Sequence, residues 1–152
     1  MHHPVENPGK ACLLCLLALV VVPLRAQSLD PIQQSHIAGN VPPASKFPEY
    51  LRRDLMSYFR TAGFDDVTEV QYELLRDSPT QSGVSYPKYY VWVRVIGHGA
   101  IREQGAARVA AIDGTRFEVT NFLPSKNMSR DSVLSVFPSA LADGILSTAA
   151  AQ

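Results

Sequence analysis

The sequence predicts an α+β domain in which an N-terminal helix, a four-stranded antiparallel meander and a C-terminal helix follow one another. Three observations carry this reading. Residues 88–96 (KYYVWVRVI), 100–112 and 116–123 are strand-like runs joined by Gly97-His98-Gly99 and Asp113-Gly114, glycine-containing links suited to hairpins. Ahead of them, Phe47, Leu51, Leu55 and Phe59 recur every four residues, as on the apolar stripe of an amphipathic helix. Behind them, Val133, Phe137, Leu141 and Ile145 repeat that spacing.

The 152 residues leave room for a single domain, residues 46–149, large enough to bury a core without disulfide or metal staples. Residues 11–22 (ACLLCLLALVVV) follow Lys10 and precede Pro23-Leu24-Arg25-Ala26, the layout of a secretory signal peptide spanning residues 1–26. The apolar run is too short to span a bilayer, so no stable membrane anchor is expected after cleavage and the product is secreted or periplasmic. Both cysteines, Cys12 and Cys15, sit inside this run, where they read as small apolar residues instead of a redox or zinc pair. Residues 27–45 (QSLDPIQQSHIAGNVPPAS) are polar and proline-rich, and are expected to form a flexible lead-in.

The first helix should run from Phe47 to Ala62, with Pro48 in its first turn and Glu49 placed to pair with Arg53. Gly63 in a left-handed conformation, with Phe64 folding back, supplies its stop. Residues 66–76 then alternate: Thr68, Val70, Tyr72 and Leu74 share one face, Glu69, Gln71 and Glu73 the other, as in a half-buried strand. Residues 77–86 (DSPTQSGVSY) are turn-forming throughout and make a long loop.

Register in the meander decides which side chains share a face. A two-residue turn at His98-Gly99 sets Arg94 opposite Glu103 and mixes the valines with Arg102, Gln104 and Arg108. A three-residue loop instead groups Tyr89, Val91, Val93 and Val95 with Ile101, Gly105, Ala107 and Val109, and this second register is preferred. A similar loop at 112–114 brings Val109 near Phe117, Ala107 near Val119 and Arg108 opposite Glu118. Beyond Leu123-Pro124, Ser129 or Asp131 can cap the last helix, which Pro138 divides in two.

Fourteen basic and fourteen acidic side chains give no global field, so nucleic acid is not an expected partner. Past the leader only His36 and His98 remain, one in the lead-in and one at a hairpin tip. No nucleophile elbow, metal-ligand spacing or phosphate-cradling loop is present, and no cofactor or metal is expected. Asp65-Asp66 reads as turn chemistry. The chain therefore reads as a non-catalytic binding module, its partner an unidentified protein or a second copy. The preferred register turns Tyr90, Trp92 and Arg94 outward beside Arg102 and Arg108, a patch rich in the residues that dominate interfaces. The alternative at this face is cover by the C-terminal helix or the lead-in. A second functional reading is a small-molecule pocket, or an enzyme site, between helix and sheet, with Glu103 as its inward-leaning ionisable group.

The order helix, four-strand meander, helix resembles the cystatin-like and nuclear-transport-factor-like superfolds, and less closely the secreted PepSY-type modules and other secreted bacterial proteins. The resemblance covers residues 47–123 and rests on element order. The Gln-x-Val-x-Gly hairpin of cystatins is absent, since Gln81-Ser82-Gly83-Val84 has other spacing, so protease inhibition is not implied. Such superfolds host enzymes, inhibitors and binders alike.

Overall fold

Four helices and one antiparallel sheet, in the strand order β1-β2-β3-β4, make up the computed structural model, which describes residues 31–83 and 85–151. The proposed leader, residues 1–26 with Cys12 and Cys15, lies outside the described residues. The chain begins with α1 (Pro31–Asn40) and α2 (Phe47–Thr61), then β1 (Val67–Leu74), β2 (Lys88–Gly97), β3 (Ala100–Ala111) and β4 (Phe117–Pro124). A 3-10 turn, Ser125–Asn127, leads to α3 (Arg130–Val136) and α4 (Ser139–Ala150).

The segment expected to be a structureless lead-in is helical over α1. Its end is tethered: the Asn40 side-chain amide donates to the His36 carbonyl (2.8 Å), and the Asn40 carbonyl accepts from Gly114 N–H (2.8 Å) in the β3–β4 turn. Val41 then packs against the core and Pro42 is buried. The segment's polar composition argued against burial, but these backbone-directed bonds anchor it by other means.

α2 lays Leu51, Leu55 and Phe59 on the sheet, all buried with Val70, Val91, Val93, Val95, Ala107 and Val109 in one cluster. Removing each such side chain from water stabilises the fold by about 1.5–3 kcal/mol. The helix stops as its sequence dictates. Gly63 adopts φ 98°, its N–H donates to the Arg60 carbonyl (3.2 Å), and Phe64 N–H donates back to Phe59 (3.1 Å) while the two rings meet edge to face. The expected Glu49–Arg53 pair is not formed. Glu49 accepts instead from Lys46 (2.8 Å), and Arg53 grips Asp54 (2.8 and 3.0 Å) and donates to the Thr115 carbonyl (2.7 Å).

In the β2–β3 hairpin the preferred grouping of faces holds in the strand body, but the partners lie two residues along from those of a loop at 97–99, with Tyr89 opposite Val109, Val91 opposite Ala107, Val93 opposite Gly105 and Val95 opposite Glu103. The turn, however, is the two-residue one. Gly97 pairs with Ala100, and His98 and Gly99 both take positive φ (51° and 76°). A bulge between Val95 and Ile96 places one extra residue, Arg102, on β3 and reconciles turn with register. Ile101 consequently faces Ile96 and is exposed, a correction to its expected place among the inward valines. A bulge between Val67 and Glu69 likewise buries Val67 and exposes Thr68, which was expected on the core face.

The β3–β4 link is longer than predicted. Ala111 pairs with Phe117, Ile112 N–H donates to Arg116 (2.9 Å), and Asp113 holds Thr115 through its backbone N–H (3.0 Å) and hydroxyl (2.8 Å). Over Phe117–Val119 the offset from the expected pairing is two residues, so the faces are kept there although the partners change: Val109 meets Val119. Past a bulge between Arg108 and Val109 the offset is three, and it is Phe122, opposite Ala107, that packs against the α2-side core. Arg108 lies opposite Asn121, not Glu118, because the longer turn shifts the pairing by two residues and the bulge adds a third. Ser129 caps α3 through a box with Ser132, and Pro138 separates α3 from α4, as the sequence indicates.

Candidate functional site

Alternation along β2 turns Tyr90 and Trp92 away from α2, as the register requires. They do not reach solvent. α3 and α4 fold over this second face, and Val133, Phe137, Ala142 and Ile145 close around Tyr90, Trp92 and Ala106, leaving Trp92 1% and Tyr90 5% exposed. The Tyr90 hydroxyl meets the Thr80 hydroxyl at 2.7 Å, and its ring stands edge-on to Phe137. Trp92 Nε1 is buried without a hydrogen-bond partner among the described residues. The expected outward aromatic patch is thus corrected to a second core, the alternative already open for this face: one apolar helix stripe and one aromatic strand face lower their free energy by meeting.

The three arginines of the patch go separate ways. Arg94 is partly exposed, across from Gln71. Arg102, thrown out by the bulge, binds Asp66 (2.8 Å), which His98 also approaches (3.6 Å). Arg108 is a staple: it donates to Thr120 Oγ1 (3.0 Å), to Asn121 Oδ1 and to the Val136 carbonyl (3.3 Å), tying β4 to α3. A guanidinium so occupied is not available to a partner.

Glu103 sits at the sheet's end on the α2 side, as predicted, with 11% of its side chain exposed. It lines no cavity. Lys126, carried by the 3-10 turn, reaches it at 2.6 Å. No three His, Cys, Asp or Glu side chains gather as a metal-ligand set among the described residues, and no helix there is long and apolar enough to cross a membrane.

The structure forms instead a half-open groove of about 300 Å³ at the N-terminal end of α2, lined by Val41, Pro42, Ala44, Phe47, Pro48, Leu74, Asp77 and Tyr89. Its parts come from the α1–α2 link, the start of α2, the end of β1 with the loop after it, and β2. The α1–α2 link supplies Val41 and Pro42, held there by the Asn40–Gly114 tether. Phe47 stands edge-on to both Tyr89 and Phe117, with centroids 4.9 and 5.0 Å away, which fixes the inner wall. Burial raises the Tyr89 phenol above its ordinary pKa, so it stays a neutral donor. Asp77, exposed and free of ion-pair partners among the described residues, puts a carboxylate on the rim. The sequence reading missed Val41, Pro42 and Asp77 because it set the lead-in aside and took the loop for a connector. The signal was Val41-Pro42-Pro43 placed three residues before an aromatic-proline helix start, Phe47-Pro48.

A smaller recess of about 240 Å³ runs between α2 and the start of β4, lined by Asp54, Ser57, Tyr58, Arg116, Phe117, Glu118 and Val119. Asp54 accepts the Phe117 N–H here (2.7 Å). The chain matches no protein-family model, no curated protein and no solved structure.

Proposed function

We propose that the protein is an exported, non-catalytic binding module whose ligand contact is the groove at the α2 N-terminus, not the sheet face around Trp92. The observation that supports this most is the lining. Six of the eight residues, Val41, Pro42, Ala44, Phe47, Pro48 and Leu74, offer apolar contact, while Asp77 and Tyr89 offer one acceptor and one neutral hydroxyl. Apolar walls with a few convergent polar groups describe a ligand site, and the volume stands at the small end of the ordinary range. The lining favours retention over turnover, since its residues include no serine, threonine, cysteine, histidine or lysine. A ligand that fits has a flat apolar body and a cationic or donor end to meet Asp77. Kinship to the cystatin-like or nuclear-transport-factor-like superfolds stays a proposal on element order, and export rests on residues 1–26.

The test is an NMR titration of the isolated protein with benzylamine and, separately, with benzoate. Benzylamine should shift the resonances of Val41, Phe47, Leu74 and Tyr89, benzoate should shift them less, and Asp77→Asn should erase the difference between the two. Shifts confined to other residues, or none, would overturn the assignment. For export, Met1 retained in protein recovered from its native host would refute the proposed cleavage.

A further inference from the structure

The sheet has two edges, and they are not alike. β4 is blunted: its Phe117 N–H is taken by Asp54 (2.7 Å), a bulge interrupts its pairing between Arg108 and Val109, and it ends at Pro124, which has no N–H. β1 has its bulge only at the start, so Glu69 to Leu74 pair regularly with β2. The direction of its backbone follows from two contacts. Leu75 N–H donates to the Tyr90 carbonyl (2.8 Å), while Thr80 and Lys88 exchange both backbone bonds (2.8 and 2.9 Å). Even-numbered β2 residues therefore point their polar groups toward β1. By alternation, Glu69, Gln71 and Glu73 bond inward, and Val70, Tyr72 and Leu74 present N–H and C=O outward. Nothing among the described residues hydrogen-bonds to those outward groups.

The side chains around this edge carry a charge pattern. Glu69 and Glu73 are exposed on the face away from α2; Glu69 accepts from Gln71 (2.9 Å), and Arg94 pairs with neither glutamate among the described residues. On the α2 face, Tyr72 and Leu74 are half-buried, and the Arg52 guanidinium stands 6.0 Å over the Tyr72 ring. Leu74 is also a wall of the groove described above.

We propose that the open edge of β1 takes up an extended peptide segment that alternates basic and apolar residues, added as a fifth strand. This deepens the binding-module reading, on which it rests, by naming the partner's class. Basic residues fall opposite Glu69 and Glu73, and apolar ones on the Tyr72–Leu74 side, nearest the groove. A second copy of this chain fits less well. The two-fold pairing about Gln71 sets Glu69 of each copy against Glu73 of the other, and the one about Tyr72, which engages Val70, Tyr72 and Leu74 together, gathers the four glutamates of both copies on one face with no basic residue from either β1 edge among them.

The experiment is amide hydrogen exchange on the isolated protein, followed by NMR, with an acetylated and amidated (Arg-Val)₃ peptide as probe. The peptide should slow exchange at Val70, Tyr72 and Leu74, and a (Glu-Val)₃ peptide should bind about tenfold more weakly. Added salt should weaken the first complex. Methylating alternate backbone nitrogens on the pairing side of the peptide should abolish protection. Unchanged exchange at millimolar peptide would overturn the proposal, as would equal binding by the methylated peptide. Amides already protected in the free protein would overturn it too, showing that residues 1–30 or a second copy hold the edge. Benzylamine shifts at the groove without peptide protection remove this inference and leave the binding-module reading standing. Failure of both probes removes both. Peptide protection without a benzylamine response keeps the strand-addition site and removes the groove as a separate ligand site.

Discussion

Gly105→Ala tests the packing of the whole β3–β4 pair with one methyl group. A Cβ at this position would lie 2.2 Å from the Leu123 carbonyl oxygen, 2.9 Å from Pro124 Cα and 3.0 Å from the Leu123 carbonyl carbon. Ordinary contact begins at 3.4 Å, so the closest approach falls short by 1.2 Å, and all three neighbours are backbone. No side-chain rotation relieves it. The end of β4 must move away, straining the adjacent Ala106–Leu123 pairing and the start of the 3-10 turn that delivers Lys126 to Glu103. Overpacking of this kind costs about 1–3 kcal/mol, and each weakened ladder bond about 1 kcal/mol. The lower entropy of an unfolded alanine returns about 0.4–1 kcal/mol. The net destabilisation should be about 3 kcal/mol, a fall in Tm of roughly 10 °C for a domain this size. Circular dichroism melting and urea titration measure it, and the midpoint should drop at unchanged m-value. Gly144→Ala, inside α4 with nothing within 4 Å of the added Cβ, is the matched control and should stabilise by about 0.5–1 kcal/mol. A Gly105→Ala variant melting within about 2 °C of the parent would refute the strand approach described here.

Trp92→Ala should cost about 3–5 kcal/mol, since it hollows the cluster under α3 and α4; a folded, equally stable variant would mean that those helices do not cover β2. The intact protein's single tryptophan should correspondingly emit at short wavelength and resist iodide quenching. His98→Asn should stabilise by about 0.5–1 kcal/mol, because asparagine tolerates the positive φ of the turn better than histidine, and a urea midpoint that falls would count against that turn. The raised Tyr89 phenol means that the folded state holds this proton more tightly than the unfolded chain does. That contribution is fully present below the ordinary tyrosine pKa of about 10 and is lost as pH rises through the folded value. Stability should therefore decline on the alkaline side, and Tyr89→Phe should flatten the decline in urea titrations taken across that range.

The sequence alone determined what depends on local repetition. Leu51, Leu55 and Phe59 at helical spacing, the alternating valines of β2, the Gly63-Phe64 stop, the Ser129 cap and the break at Pro138 all follow from the chemistry of neighbouring residues, and the α+β class follows from their order. The faces of β2 were equally legible, since period-two alternation assigns every side chain once register is chosen. Tertiary structure decided what alternation cannot say, which is what lies against each face. Tyr90 and Trp92 were placed on the correct side, but whether that side meets water depends on a helical stripe some forty residues downstream. The bulges at Val95/Ile96 and Arg108/Val109 are also non-local: each reconciles a turn's preferred geometry with a packing register fixed elsewhere, so Ile101, Arg102 and Arg108 moved from their expected partners. The groove was the least legible feature. It needs Val41 beside Leu74, Asp77 and Tyr89, and the link that carries Val41 is fastened by a bond between Asn40 and Gly114 that no sequence pattern marks.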